Sequence, residues 1–248
     1  MEVLSVNCNK CGGVRPNGKG EIYDTLIVEQ IKNMVEDFLE LEENNVIFFN
    51  EINNAENNFK AFENLFDEEK YIIHKPSNFE AFNNKNHPYG FTIAITKRFS
   101  VWEKTRAIEL IDRKSGDLSY ANKSVALQNG DIILLGVHIP YDIEYWDEII
   151  NYFEENHEKR IYIVGDYNIF DESNRKHKFE ELKTKGAIDV WLNMGGDNSH
   201  ITCTTGKRLD YLLSSVIGVS SIKKMGYIDS LRLNGFTDHS GVLFEVER

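Results

Sequence analysis

Residues 160–168 read RIYIVGDYN, an apolar run that ends abruptly in the polar segment Gly165-Asp166-Tyr167-Asn168. The run Ile161–Val164 predicts a buried β-strand. Because a strand end is rigid while the loop beyond it is open to solvent, this position suits side chains that place a cation and a water molecule. Asp166 could hold and deprotonate an attacking water, and Asn168, two residues on, is expected on the same side of an extended backbone. A Gly-Asp-x-Asn segment is also common as a simple turn, since Asp and Asn favour turn hydrogen bonds.

The same pattern, an apolar strand followed at once by a polar residue, recurs along the chain. It occurs at Val6-Asn7, Phe49-Asn50-Glu51, Val137-His138, Leu209-Asp210 and Thr237-Asp238-His239. Each occurrence alone has an ordinary explanation: Asn7 could end a strand, Asp238 could form a cap, and Asp210 could form a structural ion pair. All of them in order, each at a strand end, are much harder to explain by chance. The pattern therefore predicts that these side chains converge on one site.

The residue types suit the hydrolysis of phosphate esters. Glu51 and Asp238, with Asn7 as a third candidate, offer the hard oxygen ligands that Mg²⁺ or Mn²⁺ binds. His239 is a candidate acid/base or phosphate contact, and Asp210 could accept a hydrogen bond from its ring N–H and fix the tautomer. His138 could donate a hydrogen bond to the five-coordinate transition state, where charge develops on the phosphoryl oxygens.

Hydrophobic periodicity predicts a chain that alternates strands with a few helices. Helical spacing covers residues 22 to about 41, Phe59–Phe66, Ile143–Phe153 and Phe179–Lys185. Strands are expected at Val3–Val6, Val46–Phe49, Tyr71–His74, Phe91–Thr96, Val101–Leu110, Lys123–Gln128, Asp131–His138, Ile161–Val164, Ile201–Thr204, Leu209–Ser214, Val219–Tyr227 and Val242–Val246. Hairpin turn signals stand at Ser115-Gly116-Asp117 and Asn129-Gly130-Asp131. Helices too few to cover every crossover, together with many hairpins, predict an α/β fold with two packed sheets flanked by helices. The length of 248 residues fits a single domain over residues 1–248.

Composition narrows the function classes. The formal net charge of −12 disfavours tight, non-specific coating of DNA and agrees with carboxylates gathered around a hard cation. The chain has three cysteines, and Cys8 and Cys11 form an isolated C-x-x-C without the second pair that a zinc site wants. No apolar run approaches the roughly 20 residues that span a bilayer. The opening segment MEVLSVN reads as a strand without a basic leader, which favours a cytoplasmic protein.

Taken together, these motifs resemble the endonuclease/exonuclease/phosphatase superfamily, which includes DNase I-like nucleases, abasic-site endonucleases, inositol polyphosphate phosphatases and sphingomyelinases. The resemblance runs from Val3 to Val246. Asn7, Glu51 and His138 match the family's strand-end positions. The segments that carry the likeness are Tyr89–Ile95, Gly165–Asn168, Asp189-Val190-Trp191, Arg208-Leu209-Asp210-Tyr211 and Thr237-Asp238-His239-Ser240.

The resemblance implies a four-layer αββα sandwich of two mixed, mostly antiparallel sheets, with Mg²⁺-assisted attack by water at one edge. It also implies the roles given above for Asn7, Glu51, His138, Asp166, Asn168, Asp210, Asp238 and His239. The abasic-site branch usually shows Q-E-x-K around its metal Glu and a Tyr at the position of His138. Here Asn50 precedes Glu51 and Asn53 takes the place of the Lys, so His138 looks more like the DNase I and phosphatase branches.

The substrate is left open between two enzyme classes and one binding class. A nuclease that cuts phosphodiester bonds in DNA or RNA is the first hypothesis. A phosphatase or phosphodiesterase for a nucleotide, inositol phosphate or lipid head group is the second, favoured by the acidic net charge. A catalytically silent binding module is the third, and retention of the whole polar set argues against it. The sequence points to no protein partner.

A basic segment after the Gly165–Asn168 loop is the candidate substrate contact. Arg175 and Lys178 lie in it, and they could form a rim for an anionic substrate or a solvated helix face balanced by Glu180 and Glu181. Arg106 is a further candidate phosphate contact. Lys207 and Arg208 are expected to be solvated.

Overall fold

The computed structural model describes residues 1–13, 24–53, 56–77, 79, 90–111, 118, 119, 121–170 and 174–247. Two six-stranded sheets and one two-stranded sheet are formed within these residues. The strands are β1 Glu2–Asn7, β2 Val46–Ile52, β3 Tyr71–His74, β4 Phe91–Lys97, β5 Glu103–Thr105, β6 Leu110–Ile111, β7 Leu118–Ser119, β8 Ser124–Asn129, β9 Ile132–His138, β10 Arg160–Asp166, β11 Ile188–Asp189, β12 Asp210–Ser214, β13 Ile222–Ile228 and β14 Gly241–Val246.

The two large sheets have the same plan. The first has the order β13-β14-β1-β2-β4-β3 and the second the order β11-β12-β10-β9-β8-β5. Each has one parallel pair at its centre, β1 with β2 and β9 with β10, and its other pairs are antiparallel. Parallel neighbours bring their carboxyl ends to one edge of a sheet. The central pairs therefore determine where the polar strand ends can meet.

Helices cover the outer faces of the sheets. They are α1 Thr25–Leu41, α2 Glu56–Glu63, α3 Ile143–Asn156 and α4 Asn174–Thr184, with short helices α5 Val190–Asn193, α6 Val216–Val219 and α7 Asp229–Leu233. Helix α1 begins at Asp24, whose side chain accepts a hydrogen bond from the Leu26 amide at 2.8 Å, a typical N-cap. The buried stripe Val28, Ile31, Val35 and Leu39 has the three- and four-residue spacing of one helix face.

Three apolar clusters lie between four layers of helices and sheets. One lies between the sheets and includes Phe48, Leu134 and Phe244. A second joins the first sheet to helices α1 and α2, and a third joins the other sheet to helices α3 and α4. Burial of apolar surface on both faces of each sheet is the main stabilising contribution of this arrangement. The predicted layering of helix, sheet, sheet and helix is confirmed. Among the described residues, no helix combines the length and apolar character needed to cross a bilayer.

Several local predictions were wrong. The expected strand Val101–Leu110 is divided into β5 and β6 with irregular backbone between them. Ile201–Thr204 forms only one isolated bridge, between Cys203 and His239. The first residue of the expected strand Val219–Tyr227 belongs to helix α6 instead. The hairpin at Asn129-Gly130-Asp131 is confirmed by the antiparallel pairing of β8 and β9. The turn signal at 115–117 and residue Tyr89 lie outside the described residues.

Candidate active site

The polar strand ends of both sheets meet at one edge of the molecule. Asn7 is the register partner of Asn50 in the first sheet, and Asp166 is the partner of both His138 and Asp210 in the second. The Asn7 Nδ2 atom donates to Glu51 Oε1 at 3.2 Å and to Asp166 Oδ2 at 3.1 Å. Because these carboxylates belong to different sheets, the Asn7 amide bridges the sandwich at its edge.

The orientation of the Asn7 amide is fixed by its second partner. Its Oδ1 atom accepts a hydrogen bond from the Asn9 amide at 2.9 Å, and a backbone N–H can only donate. The nitrogen of the amide therefore faces the two carboxylates. This geometry favours a role for Asn7 in positioning Glu51 and Asp166.

Glu51 occupies an irregular point in its strand. The pairing of β2 with β4 shifts between Phe49 and Ile52, and Glu51 has a left-handed φ of 54°. A bulge of this kind re-aims a side chain, and a non-glycine residue in this conformation is strained. The backbone strain therefore lies at Glu51 itself, the predicted metal ligand.

Gly165 permits the close approach of β10 to its neighbour. Its φ is 142°, and a Cβ atom there would lie 2.0 Å from the Val137 carbonyl oxygen and 2.9 Å from Asn50 Nδ2. Only glycine fits such a position. The glycine of the Gly-Asp-x-Asn segment thus allows Asp166 to sit in register beside His138.

Asn168 does not continue an extended strand, so the prediction from strand periodicity was wrong. Strand β10 ends at Asp166, and Asn168 has a left-handed φ of 50°. Its amide N–H donates to Asp166 Oδ1 at 2.9 Å, and its Nδ2 donates to the Ile139 carbonyl at 3.0 Å. The local turn chemistry of the segment prevailed over strand alternation. Asn168 nevertheless lines the same cavity as Glu51.

His239 and Asp210 form a buried dyad, as the sequence predicted. His239 Nδ1 lies 2.9 Å from Asp210 Oδ2 and 3.2 Å from Oδ1, while Nε2 lies 3.9 Å from Asp166 Oδ2. Burial alone would lower the pKa of His239, but the charges of Asp210 and Asp166 raise it well above its ordinary value. The neighbouring carboxylates therefore stabilise the charged imidazolium form of His239, and Asp210 sets the orientation of its ring.

Burial makes ionisation of the carboxylates of the site unfavourable. Burial raises the pKa of Asp166 to about 7; the charge of His239 opposes this, and that of Asp210 adds to it. Burial also raises the pKa of Glu51, against the charges of His239 and Lys123, and Asp238 adds to the rise. Crowded carboxylates that resist ionisation are the environment that a bound cation would stabilise.

His138 lies between two of these carboxylates. Its Nε2 atom is 3.3 Å from Glu51 Oε1 and 3.8 Å from Asp166 Oδ2. Burial, followed by the charges of Lys123 and His239, lowers the pKa of His138 well below its ordinary value. The ring is therefore neutral. Its Nδ1 atom has no hydrogen-bond partner within the part of the chain that the structure describes.

A cavity of about 590 Å³ opens over this cluster. Its lining includes Glu51, His138, Asn168 and Asp238. Asp238 enters it next to Thr237, whose hydroxyl donates to the Asn7 carbonyl at 2.6 Å. Ligand atoms of Glu51, His138 and Asp166 lie within 4.8 Å of one another, as do those of Asp166, Asp210 and His239. The donor set of carboxylates, amides and imidazole fits a hard divalent cation.

Two lysines of the cavity were missed by the sequence reasoning. Lys123 is 1% exposed and donates from Nζ to the Gly90 carbonyl at 3.2 Å. Burial lowers its pKa to about 7, an effect that the Glu51 carboxylate opposes. Lys10 lines the cavity from a left-handed turn at Asn9–Cys11. The sequence signal that could have identified Lys123 was its position directly before the apolar strand β8.

The predicted basic contacts are divided between different surfaces. The Arg175 guanidinium lies over Tyr141 at the cavity rim, with 4.2 Å between its central carbon and the ring centroid. Lys178 instead pairs with Asp147 and Glu181 at 2.7 Å and 2.8 Å, and Arg106 lies 3.9 Å from Glu155 beside another cavity. The structure does not bring these two residues to the site.

Arg208 was expected to be solvated, and this was wrong. It is 6% exposed, pairs with the buried Asp189 and lies over the Tyr211 ring. Burial of a charged side chain costs desolvation free energy, so such a residue needs an oppositely charged partner in the interior. The Arg208–Asp189 pair joins two of the segments that carried the family resemblance, and it links β12 to the start of helix α5.

Several solved structures match this chain in architecture. No family model and no curated protein matches the sequence. An AP endonuclease from Archaeoglobus fulgidus matches in structure with a TM-score of 0.65 at 11% identity, covering 100% of both chains. A 3′ phosphatase from Neisseria bound to product DNA hairpin gives 0.66 at 13%, also over 100% of both chains. An AP endonuclease from Leishmania major gives 0.70 at 12%, over 100% of this chain and 87% of that one.

These similarities confirm the predicted fold. The chain has the DNase I-like fold, with two mixed sheets and flanking helices. The matched structures include two AP endonucleases.

Proposed function

We propose that this protein is a divalent-metal-dependent phosphoesterase that hydrolyses phosphodiester bonds in nucleic acid. The observation that carries the proposal is the convergence of Glu51, Asp166 and the Asp210–His239 dyad beside one open cavity. The DNA-bound 3′ phosphatase that shares the fold supports nucleic acid as the substrate class.

Glu51 and Asp238 would hold the cation, with Asn7 keeping the Glu51 and Asp166 carboxylates apart and aligned. The Glu51 and Asp238 carboxylates line the cavity, so the metal would be open to a phosphate oxygen of the substrate. When bound, Mg²⁺ or Mn²⁺ would polarise the phosphoryl group and stabilise its developing negative charge.

Asp166 is proposed to hold the attacking water and take its proton. The Asn168 amide and the Asn7 side chain fix its two oxygens, at 2.9 Å and 3.1 Å. A base whose orientation is fixed in this way aligns the lone pair of the water with the phosphorus before reaction. Because burial raises its pKa to about 7, Asp166 is poised to accept a proton near neutral pH.

His239 and His138 are proposed to stabilise the five-coordinate transition state. The His239 imidazolium can donate from Nε2 to a phosphoryl oxygen, because Asp210 occupies Nδ1. His138 is neutral and therefore adds a hydrogen-bonding group without adding charge. Lys123 is buried in the lining of the cavity, and its side-chain nitrogen adds a further hydrogen-bond donor. Fixed donors of this kind are worth several kcal/mol where charge develops.

Hydrolysis of a small phosphorylated molecule is the second candidate. Lys178 and Arg106 are engaged with acidic side chains elsewhere, so these two residues do not contribute to a basic rim that a long duplex would use. Release of inorganic phosphate from nucleotides or inositol phosphates, without cleavage of oligonucleotides, would favour this candidate.

The proposal is tested with protein freed of metal by a chelator and assayed with added Mg²⁺ or Mn²⁺. Plasmid, DNA and RNA oligonucleotides, nucleotides and phosphoinositides form the substrate panel. We expect metal-dependent cleavage of oligonucleotides that Asp166→Asn reduces by at least about 10²-fold. Asp37→Asn is the matched control, since it makes the same change on the exposed face of helix α1. Absence of turnover on every substrate would indicate a silent binding module.

A further inference from the structure

An exposed aromatic residue stands at the rim of the cavity. Tyr141 is 60% exposed and lines the cavity together with Glu51, His138 and Asn168. It follows Pro140, shortly after the end of β9 at His138, and precedes Asp142, whose side chain caps helix α3 by accepting from the Glu144 amide at 2.9 Å. Tyr141 thus lies between the end of a strand and a capped helix, and these two elements fix the position of its backbone.

A cation supports the Tyr141 ring. The central carbon of the Arg175 guanidinium lies 4.2 Å from the ring centroid of Tyr141 and 5.2 Å from that of Phe170. The two rings are 6.3 Å apart and tilted by 56°. Arg175 stands at the start of helix α4, and its Nη1 atom is buried without a hydrogen-bond partner among the described residues. A guanidinium held in this way fixes a ring while leaving much of it open to solvent.

We propose that Tyr141, supported by Arg175, is a stacking platform for a nucleobase next to the scissile phosphate. The inference rests on the proposed nucleic-acid hydrolysis and narrows it to substrates that present an unstacked base at the cut site. Every base has a flat π-face that can stack on an aromatic ring, whatever its sequence. An inositol ring or a choline head group has no such face. The Arg175 charge would also attract the phosphates on either side of the base.

Binding without turnover provides the first test. Fluorescence anisotropy in chelator compares a labelled single-stranded oligonucleotide with a strand of the same length whose nucleotides lack bases. The two strands carry the same phosphates, so their difference isolates stacking. We expect the wild type to bind the base-bearing strand about tenfold more tightly, in the range that alanine substitution of a stacking aromatic gives.

Three variants locate the effect. Tyr141→Phe keeps the ring and should keep the preference, whereas Tyr141→Ala should abolish it. Phe99→Ala is the matched control, because Phe99 is 80% exposed and follows β4 at the opposite end of the first sheet from the site. In hydrolysis assays, Tyr141→Ala should raise KM about tenfold and leave kcat nearly unchanged.

The outcomes separate this inference from the function on which it rests. If the wild type shows no preference for the base-bearing strand, or if Tyr141→Ala retains that preference, the stacking platform is refuted. If the preference depends on Tyr141 but no oligonucleotide is cleaved with any metal, the proposed hydrolysis fails and the binding platform stands. Equal loss of binding to both strands in Tyr141→Ala would also refute stacking, because it would indicate a phosphate contact.

Discussion

Replacement of Asp210 by Asn tests the dyad at the centre of the site. Both Asp210 oxygens lie near His239 Nδ1, at 2.9 Å and 3.2 Å, and Asp166 is the next carboxylate, 3.9 Å from Nε2. Two unit charges about 4 Å apart attract by roughly 4 kcal/mol at an effective dielectric constant of about 20. Asn keeps the size of the side chain and can keep a hydrogen bond, but it removes this attraction.

The expected consequence is a lower pKa of His239 and a slower chemical step. If the whole attraction of about 4 kcal/mol were lost from the stabilisation of the transition state, the rate would fall by roughly 10³-fold. The hydrogen bond that Asn can keep to His239 retains part of this stabilisation. We therefore expect kcat to fall by about 10²–10³-fold with little change in KM. The fall should be largest on the alkaline side, where the variant loses its imidazolium first.

Two measurements check this expectation. Initial rates at saturating oligonucleotide and Mg²⁺ give the dependence of kcat on pH, and nitrogen-15 NMR of the metal-free protein follows the titration of the His239 ring. Asp37→Asn again controls for the change of charge. An unchanged His239 titration, or a kcat within about threefold of wild type, would show that Asp210 does not hold His239 in its charged form.

The same dyad has a consequence for stability. Because the native pKa of His239 is raised, the charged dyad stabilises the native state fully below the ordinary pKa of histidine, near 6.5. This contribution is lost as pH rises through the higher native pKa. Asp210→Asn should therefore destabilise the protein more at pH 6 than above the native pKa of His239, which urea unfolding at several pH values would measure.

Three further substitutions probe the charge, the metal and the backbone of the site. Asp166→Asn should raise the melting temperature of the metal-free protein at pH 8 and leave it unchanged near pH 4. Because the native pKa of Asp166 is about 7, its ionisation destabilises the native state only as pH rises above the pKa that Asp166 has in the unfolded chain. An equal effect at both pH values would contradict a raised pKa of Asp166. Mg²⁺ at about 100 times its Kd should stabilise the wild type by about 2.7 kcal/mol in thermal unfolding, and Glu51→Gln should reduce this gain strongly; an undiminished gain would place the cation elsewhere. Gly165→Ala should cost well over 1 kcal/mol in urea unfolding, because the added Cβ would lie 2.0 Å from the Val137 carbonyl oxygen; Gly226→Ala, with open space around its position, is the control, and equal costs for the two would refute the steric reasoning.

The layering and the convergence of the strand ends could be predicted from sequence because both follow from simple periodic rules. An apolar run ending in Asp166 or His138 places the polar residue at a strand end, and the parallel pairing of β9 and β10 brings these two ends together. Asp210 instead begins β12, and antiparallel pairing with β10 brings it beside Asp166. The irregular features could not be predicted in this way. Asn168 takes a left-handed turn, and the Glu51 bulge changes the direction of its side chain; both depend on contacts with neighbouring strands.

Charged residues were the other source of error, because burial depends on the partner that tertiary structure supplies. Arg208 is buried with Asp189, and Lys123 is buried beside the Gly90 carbonyl. Neither partner is adjacent in sequence. Lys178 shows the opposite case: it was a candidate substrate contact, and its charge is already matched by Asp147 and Glu181.

The geometry of the site depends on how the two sheets pack. Glu51 and Asp166 come from different sheets, and the Asn7 amide spans them with contacts of 3.2 Å and 3.1 Å. The separation of the sheets is set in the core, where the Phe48 ring occupies the space of a side chain at Gly136 and a Cβ there would lie 2.2 Å from it. A close-packed core transmits a change of volume to its surroundings. Substitution at Gly136 should therefore move Asn7 relative to Asp166 and reduce turnover, although neither Phe48 nor Gly136 lines the cavity as described.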